Sequence, residues 1–113
     1  MHEMSIAQNI ISIVDETLAG EEYQRLLEVV VDIGELVAVV PESLEFCFMA
    51  ITEKTKYQDS KLTINILPLV GRCRKCRAES RIRHFDFVCN ACLGRELDII
   101  QGEELKISHL EVD

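Results

Sequence analysis

The chain has 113 residues, 48% of them hydrophobic, and a formal net charge of −8. That is enough apolar material for a real core, which excludes wholesale disorder, and no apolar run approaches the ~20 residues a membrane helix needs. The acidic total argues against a general nucleic-acid binder. Five cysteines behind a start, "MHEMSIAQNIIS", with neither a basic region nor a small-residue cleavage site predict a chain of the reducing cytoplasm.

Helix is predicted first, starting within a few residues of Met1. Ala7, Ile10, Ile11, Val14 and Leu18 recur at helical spacing, Ile6 and Ile13 widen the stripe, Ser5 and Gln8 have capping-box form, and Ala19-Gly20 supplies a stop. From Leu26 toward Val40 the chain is β-branched and alternating. Leu27, Val29, Val31 and Ile33 form the buried face, and Gly34 signals a bulge or bend. Pro41 and Ser43 open a second helix with Leu44, Cys47, Phe48 and Ile51 on its apolar face, where Cys47 acts as a small core hydrophobe. Residues 52–60 read as a polar connection. Leu62, Ile64 and Ile66 then alternate in a strand that Pro68 ends.

After a cysteine-rich stretch, "ELDII" and "ELKISHLEV" flank Gln101-Gly102 in the manner of a β-hairpin. In the last strand Leu105 and Ile107 share one face and Leu110 and Val112 the other, which predicts a bulge or cover on both sides. His109 reads as a structural histidine beside Leu105 and Ile107. The fold class is α+β in two layers: a small twisted sheet with both helices on one face and an inserted four-cysteine zinc module. The expected division is residues 1–70 plus 95–113 for the body and 71–94 for the insertion.

The insertion carries two Cys-x-x-Cys pairs, Cys73/Cys76 and Cys89/Cys92, with twelve residues between them. Each pair presents two thiolates from one tight turn, and two such turns complete a tetrahedral Zn²⁺ site. The intervening segment must loop back, as a short hairpin ending in Phe85 and Phe87. A thioredoxin-like redox pair would need a single pair at a helix start, and a rubredoxin-like iron site uses the same four thiolates. A closed four-thiolate site leaves no position for substrate, so its zinc is structural. His84 could join it only by displacing a thiolate. Residues 71–95 hold seven bases against two acids, a balance of +5 beside −13 for the remainder, which predicts a basic knob on an acidic body.

The opposite end offers a second donor set. A free α-amine, the His2 imidazole and deprotonated backbone amides together provide nitrogens close to one plane, which suits Ni(II) or Cu(II). On residues alone His2 reads far more readily as an incidental surface histidine than as a ligand. The stretches "MHEMSIAQNII", "VVVDIGELVAVVPESLEFCF", "LTINILPLVGRCRKC" and "CNAC", in that order, closely resemble the HypA/HybF family of hydrogenase nickel-incorporation factors, nearly end to end. The resemblance implies a small metallochaperone with a nickel domain and a zinc domain. In it His2 is the nickel ligand, assisted by the amine of Met1 and neighbouring main-chain nitrogens, with Glu3 supporting the site. Cys73, Cys76, Cys89 and Cys92 match the zinc ligands. The implied partners are an accessory GTPase and the precursor of a [NiFe]-hydrogenase large subunit, and some members also serve urease. The second knuckle, Cys89-Asn90-Ala91-Cys92-Leu93-Gly94, departs from the Cys-Pro-x-Cys-Gly common in relatives.

No nucleophile–base pair or phosphate-cradling glycine loop stands in the sequence, so no enzyme is expected. Two other classes stay open: a zinc-ribbon nucleic-acid binder using the basic module on phosphate, and a protein–protein adaptor in which zinc is structural and His2 idle.

Overall fold

A computed structural model describes residues 2–113. In chain order it contains α1 (Glu3–Leu18), β1 (Leu26–Gly34), a 3-10 turn (Glu35–Val37), α2 (Pro41–Thr52), β2 (Lys61–Leu67), β3 (Val70–Cys73), β4 (Glu79–Arg81), β5 (Leu97–Gln101) and β6 (Leu105–Val112). β2, β1 and β6 form one sheet in that order, with β1 parallel to β2 and antiparallel to β6. A second sheet has the order β4-β3-β5.

Helix α1 buries Ile6, Ala7, Ile10 and Val14, the stripe its spacing predicts. It begins at Glu3 with His2 as N-cap, so Ser5 lies inside the first turn and caps nothing. Burial of Ile6 and Ala7 draws a full turn in front of them into the helix, and packing outweighs the local capping signal. Pro41 occupies the first turn of α2, where its missing N–H costs nothing. Leu44 and Phe48 then face inward one turn apart, with Cys47 half-buried against the same core. Both helices close over one face of the first sheet, where Val29, Val31 and Ile33 join Ile6, Ala7, Ile10, Val14, Leu44 and Phe48 in a single cluster.

Three expectations need correction in this body. Leu26 is the buried residue and Leu27 is 37% exposed. The register between β1 and β6 slips between Leu26 and Glu28, and one extra residue turns Leu27 outward. The strand also stops at Gly34 instead of running toward Val40. A side chain there would meet the Gly102 carbonyl carbon at 2.0 Å, so Gly34 is the point of closest backbone approach in the molecule's waist. Finally, the polar stretch 52–60 hides Tyr57, which is 3% exposed and donates to the Asp15 carboxylate at 2.5 Å.

The bulge that the sequence predicts in β6 is present. Val30 pairs with His109 and Val31 with Ile107, leaving Ser108 as the extra residue. Leu105, Ile107 and Leu110 therefore all pack toward the core. His109 is turned to the open face and exposed, so it is not a buried structural histidine.

The predicted hairpin across Gln101-Gly102 does not form. β5 pairs antiparallel with β3, Gly71 opposite Ile99 and Cys73 opposite Leu97, while β6 pairs with β1. Gly102, at φ +123, is where the chain leaves one sheet for the other. Hydrogen bonding thus assigns residues 97–101 to the cysteine-bearing sheet. The waist is stitched by the Gly34 amide donating to the Glu104 carbonyl at 2.7 Å and the Leu36 amide donating to the Gly102 carbonyl at 2.9 Å. The Glu35 carboxylate accepts from the Leu69 amide at 3.0 Å and pairs with Arg81 at 3.6 Å. Two sheets joined at a waist make an elongated molecule of 53 × 26 × 16 Å. Its radius of gyration is 17.4 Å, against ~13 Å for a compact chain of this length.

Candidate metal centres

The four sulfurs of Cys73, Cys76, Cys89 and Cys92 lie within 4.8 Å of one another. Cys73 leaves the end of β3, and β4 pairs straight back onto β3, so the first knuckle is itself the turn of a β-hairpin. The second knuckle follows the 82–88 loop, which contains no hairpin ending in Phe85 and Phe87. His84 and Phe85 are both left-handed there, at φ 54 and 57. The knuckles repeat one hydrogen-bond pattern. The Cys73 amide donates to Ala78 and the Arg77 amide back to Cys73, while the Cys89 amide donates to Gly94 and the Leu93 amide back to Cys89. Arg77 and Leu93, the residues after each second cysteine, are both left-handed at φ 65 and 62. Leu93 thus holds a left-handed position that favours glycine, and the turn closes with a side chain there.

Sulfur–sulfur distances of 3.6 Å for Cys73 with Cys92 and 3.5 Å for Cys76 with Cys89 match the ~3.8 Å edge of a tetrahedron with Zn–S bonds of ~2.3 Å. The chemistry of the donors fits as well. The Cys76 amide, then that of Lys75, hold the Cys73 thiol below its ordinary value. The Cys92 amide is the largest cause that brings Cys89 down to about 6. At Cys76 the Ala78 amide pulls downward, but the Cys89 thiol, burial and the other two cysteines outweigh it and push the value up to about 12. Crowded sulfurs with Cys89 drawn toward the thiolate and Cys76 pushed toward the thiol are a set that a dication resolves by replacing the proton. Cys73 and Cys89 are buried, and Cys76 and Cys92 exposed. Among the described residues this is the one His/Cys/Asp/Glu cluster with ligand geometry, and His84 stands outside it.

At the other end, His2 is exposed in extended conformation, φ −77 and ψ 134. The first helical hydrogen bond runs from the Ile6 amide to the His2 carbonyl at 3.2 Å. The amides of Glu3, Met4 and Ser5 therefore have no acceptor within the helix. Glu3 reaches across to the start of α2, its carboxylate accepting from the Val40 amide at 3.5 Å. Both helix N-termini, with their positive dipole ends, meet here, at the waist end of the body. Met1, expected to supply its amine, lies outside the described residues.

A family-wide profile described as hydrogenase/urease nickel incorporation metallochaperone, HypA, matches residues 1–112. The chain belongs to the HypA family. Curated relatives called hydrogenase maturation factor HypA include those of Geotalea uraniireducens, 40% identical over the full length of both chains, and Trichodesmium erythraeum, 42% identical over all of this chain and 96% of that one. Two solved structures share the fold. The solution structure of the Ni metallochaperone HypA from Helicobacter pylori superposes with a TM-score of 0.69 at 24% identity, covering 99% of this chain and 97% of that one. A second HypA solution structure gives 0.72 at 26% identity, covering 99% and 96%.

Sequence reasoning missed two residues that organise this HypA-family chain. Glu35 ties the body to the cysteine sheet, and Val40 anchors Glu3 through its amide. Neither carries a local signal, since their partners stand 34 and 37 positions away. The basic knob also shrinks. Residues 70–101 hold the same seven bases but four acids, Glu79, Asp86, Glu96 and Asp98. Arg72, Arg74, Arg81 and Arg95 are paired with Glu79, Asp98, Glu35 and Asp86.

Proposed function

We propose that this HypA-family nickel metallochaperone of hydrogenase maturation binds Ni²⁺ through the amine of Met1, the imidazole of His2 and the amide of Glu3. It then hands the ion to a [NiFe]-hydrogenase large-subunit precursor with the help of an accessory GTPase. The observation that carries this reading is an exposed imidazole at the N-cap of α1, directly before amides that no helical acceptor claims. A dication placed before a helix N-terminus meets the positive end of the dipole, so neutral ligands would hold it poorly. Amides that lose their protons on binding, with the Glu3 carboxylate beside them, supply the compensating charge. Nickel affinity therefore falls as pH drops. The same exposure lets a partner's ligands reach the ion.

Cys73, Cys76, Cys89 and Cys92 hold Zn²⁺ as an architectural pin, with no open position for cargo. In this reading the zinc unit is inserted into the nickel-binding body, and its C-terminal limit moves from residue 94 to 101 because β5 pairs with β3. The protein acts as a carrier rather than an enzyme, in the cytoplasm. Among the described residues no helix is long and apolar enough to cross a membrane. The ion-paired arginines of the cysteine unit count against a nucleic-acid partner.

The test is Ni²⁺ titration of untagged, zinc-loaded protein beside His2→Ala. The wild type takes up one equivalent and the variant loses it. Equal occupancy in both overturns the assignment of the site.

A further inference from the structure

We infer that the outward side of α2, with the groove beside it, is a docking surface for a protein partner that presents a basic amphipathic helix. The outward side of α1 is polar, made of Ser5, Gln8, Asn9, Ser12 and Glu16. Helix α2 is apolar on both sides. Leu44 and Phe48 face the core, while Phe46 and Met49 stand one turn apart on the outward side, 68% and 65% exposed. Among the described residues they are the most exposed large apolar side chains on either helix. A helix that carries such a pair in water has a second apolar face to cover. Phe46 and Met49 also border a groove of about 670 Å³ between the C-terminal half of α2 and residues 58–62, with Phe48 and Leu62 in its walls. The far wall is held in place by the chain itself. The Lys54 amide donates to the Gln58 side chain at 2.9 Å, and the Ser60 hydroxyl donates to the carbonyl of buried Tyr57 at 2.6 Å.

Charge selects the occupant. Glu45, Glu53 and Asp59 line the groove against Lys61 alone, and exposed Glu42 stands one turn before Phe46. None of these four carboxylates joins an ion pair among the described residues. Apolar anchors ringed by unpaired carboxylates fit a segment whose own apolar residues are flanked by lysine or arginine, and they repel an acidic one. The one-turn spacing of Phe46 and Met49 makes a ridge of the kind that packs against another helix. Of β2 only Lys61 and Leu62 border the groove, so it does not follow the strand edge as β-strand addition would require. Neither helix of this chain contains a lysine or arginine, so a second copy has no helix of that chemistry to offer. Phe46 is about two helical turns from Val40, whose amide is held by Glu3, so a partner bound here stands close to the N-terminus of α1. The surface shares no residue with the proposed nickel ligands, and nickel-free protein suffices to test it.

The probe is a synthetic amphipathic helix of leucine and lysine, titrated into isotope-labelled, full-length, zinc-loaded, nickel-free protein and followed by amide chemical shifts. Shifts should move saturably at residues 42–53 and 58–62 and leave the cysteine sheet unchanged. Phe46→Ser combined with Met49→Ser should weaken binding by on the order of tenfold or more. Glu45→Gln combined with Glu53→Gln should weaken it by roughly threefold to tenfold and flatten its dependence on salt. Glu22→Gln combined with Glu111→Gln removes the same charge on the β6 side of the sheet and should change it by less than about twofold. All six substituted side chains are exposed, and circular dichroism and zinc content check the folds. The inference fails if a peptide with glutamate in place of lysine, or a leucine–lysine peptide of strand periodicity, binds as tightly. It fails equally if the shifts map elsewhere or if loss of Phe46 and Met49 leaves the affinity unchanged. Movement of the same amides on concentrating the protein alone would assign the surface to a second copy and overturn it as well.

Discussion

Two left-handed residues decide how cheaply the zinc knuckles close. Arg77 and Leu93 sit at φ 65 and 62, a conformation that costs an L-residue ~1–2 kcal/mol. Leu93 is 75% exposed and loses little packing if truncated. Part of the gain from glycine is returned as entropy of the unfolded chain. Leu93→Gly should therefore stabilise the zinc-loaded protein by about 0.5–1 kcal/mol, read from denaturant midpoints at constant m. In the nickel site proposed at the N-terminus the chemistry depends on an amine and on amides free of helical acceptors. Acetylating the amine should remove stoichiometric nickel binding as fully as His2→Ala does, while leaving α1 intact by circular dichroism. That pair of results would separate the chelate from the helix that presents it.

Elements meet in this chain through a few contacts between distant residues. Tyr57 lies outside regular structure, yet it locks the segment after α2 to α1 through Asp15. Burial first, then the Asp15 carboxylate, push its phenol above the ordinary value near 10. The folded state thus binds this proton more tightly than the unfolded chain does. Its contribution to stability is whole below about pH 10 and is lost as pH rises beyond it. Tyr57→Phe should cost about 1 kcal/mol at neutral pH. It should also flatten the alkaline fall in stability, and parallel urea titrations from neutral to alkaline pH would show both effects. At the waist, Gly34→Ala places a methyl group against the Gly102 backbone. We expect a loss of about 2–3 kcal/mol, measured by thermal unfolding of the zinc-loaded form.

The whole molecule divides its stability unequally. The body has a core shared by two helices and three strands, whereas the cysteine sheet buries few large side chains beyond Leu69 and Ile82. Metal must supply most of the folding energy of the second unit, and structural zinc provides an apparent ~10–16 kcal/mol in small peptides. Chelation should therefore release the amides of residues 70–101 to hydrogen exchange and leave those of β1 and β2 protected. Global unfolding in the same experiment would mean that the two units share one cooperative transition. Glu35 and the Gly34–Gly102 contact are the places where such coupling would reside.

Much of the fold was legible because it rests on local periodicity. The apolar stripe of α1, Pro41 at the start of α2 and the alternation through Val29, Val31 and Ile33 each depend on neighbours a few positions apart. The four clustered cysteines were legible for the same reason, since Cys-x-x-Cys is a short-range pattern with one dominant chemistry. Single-residue insertions were legible only in part. The bulge in β6 showed itself in the switch of face between Ile107 and Leu110, whereas the one at Leu27 gave no local sign, because it arises from pairing across strands more than seventy positions apart in sequence. Nor could local pattern decide that β5 returns to β3, because Gln101-Gly102 serves a hairpin turn and a passage between sheets equally well. The sequence by itself determined both helices, the strands of the body, the thiolate set and the resemblance to the family. The tertiary structure decided which sheet each C-terminal strand joins and which residues tie the waist, because those outcomes depend on backbone pairing between segments far apart along the chain.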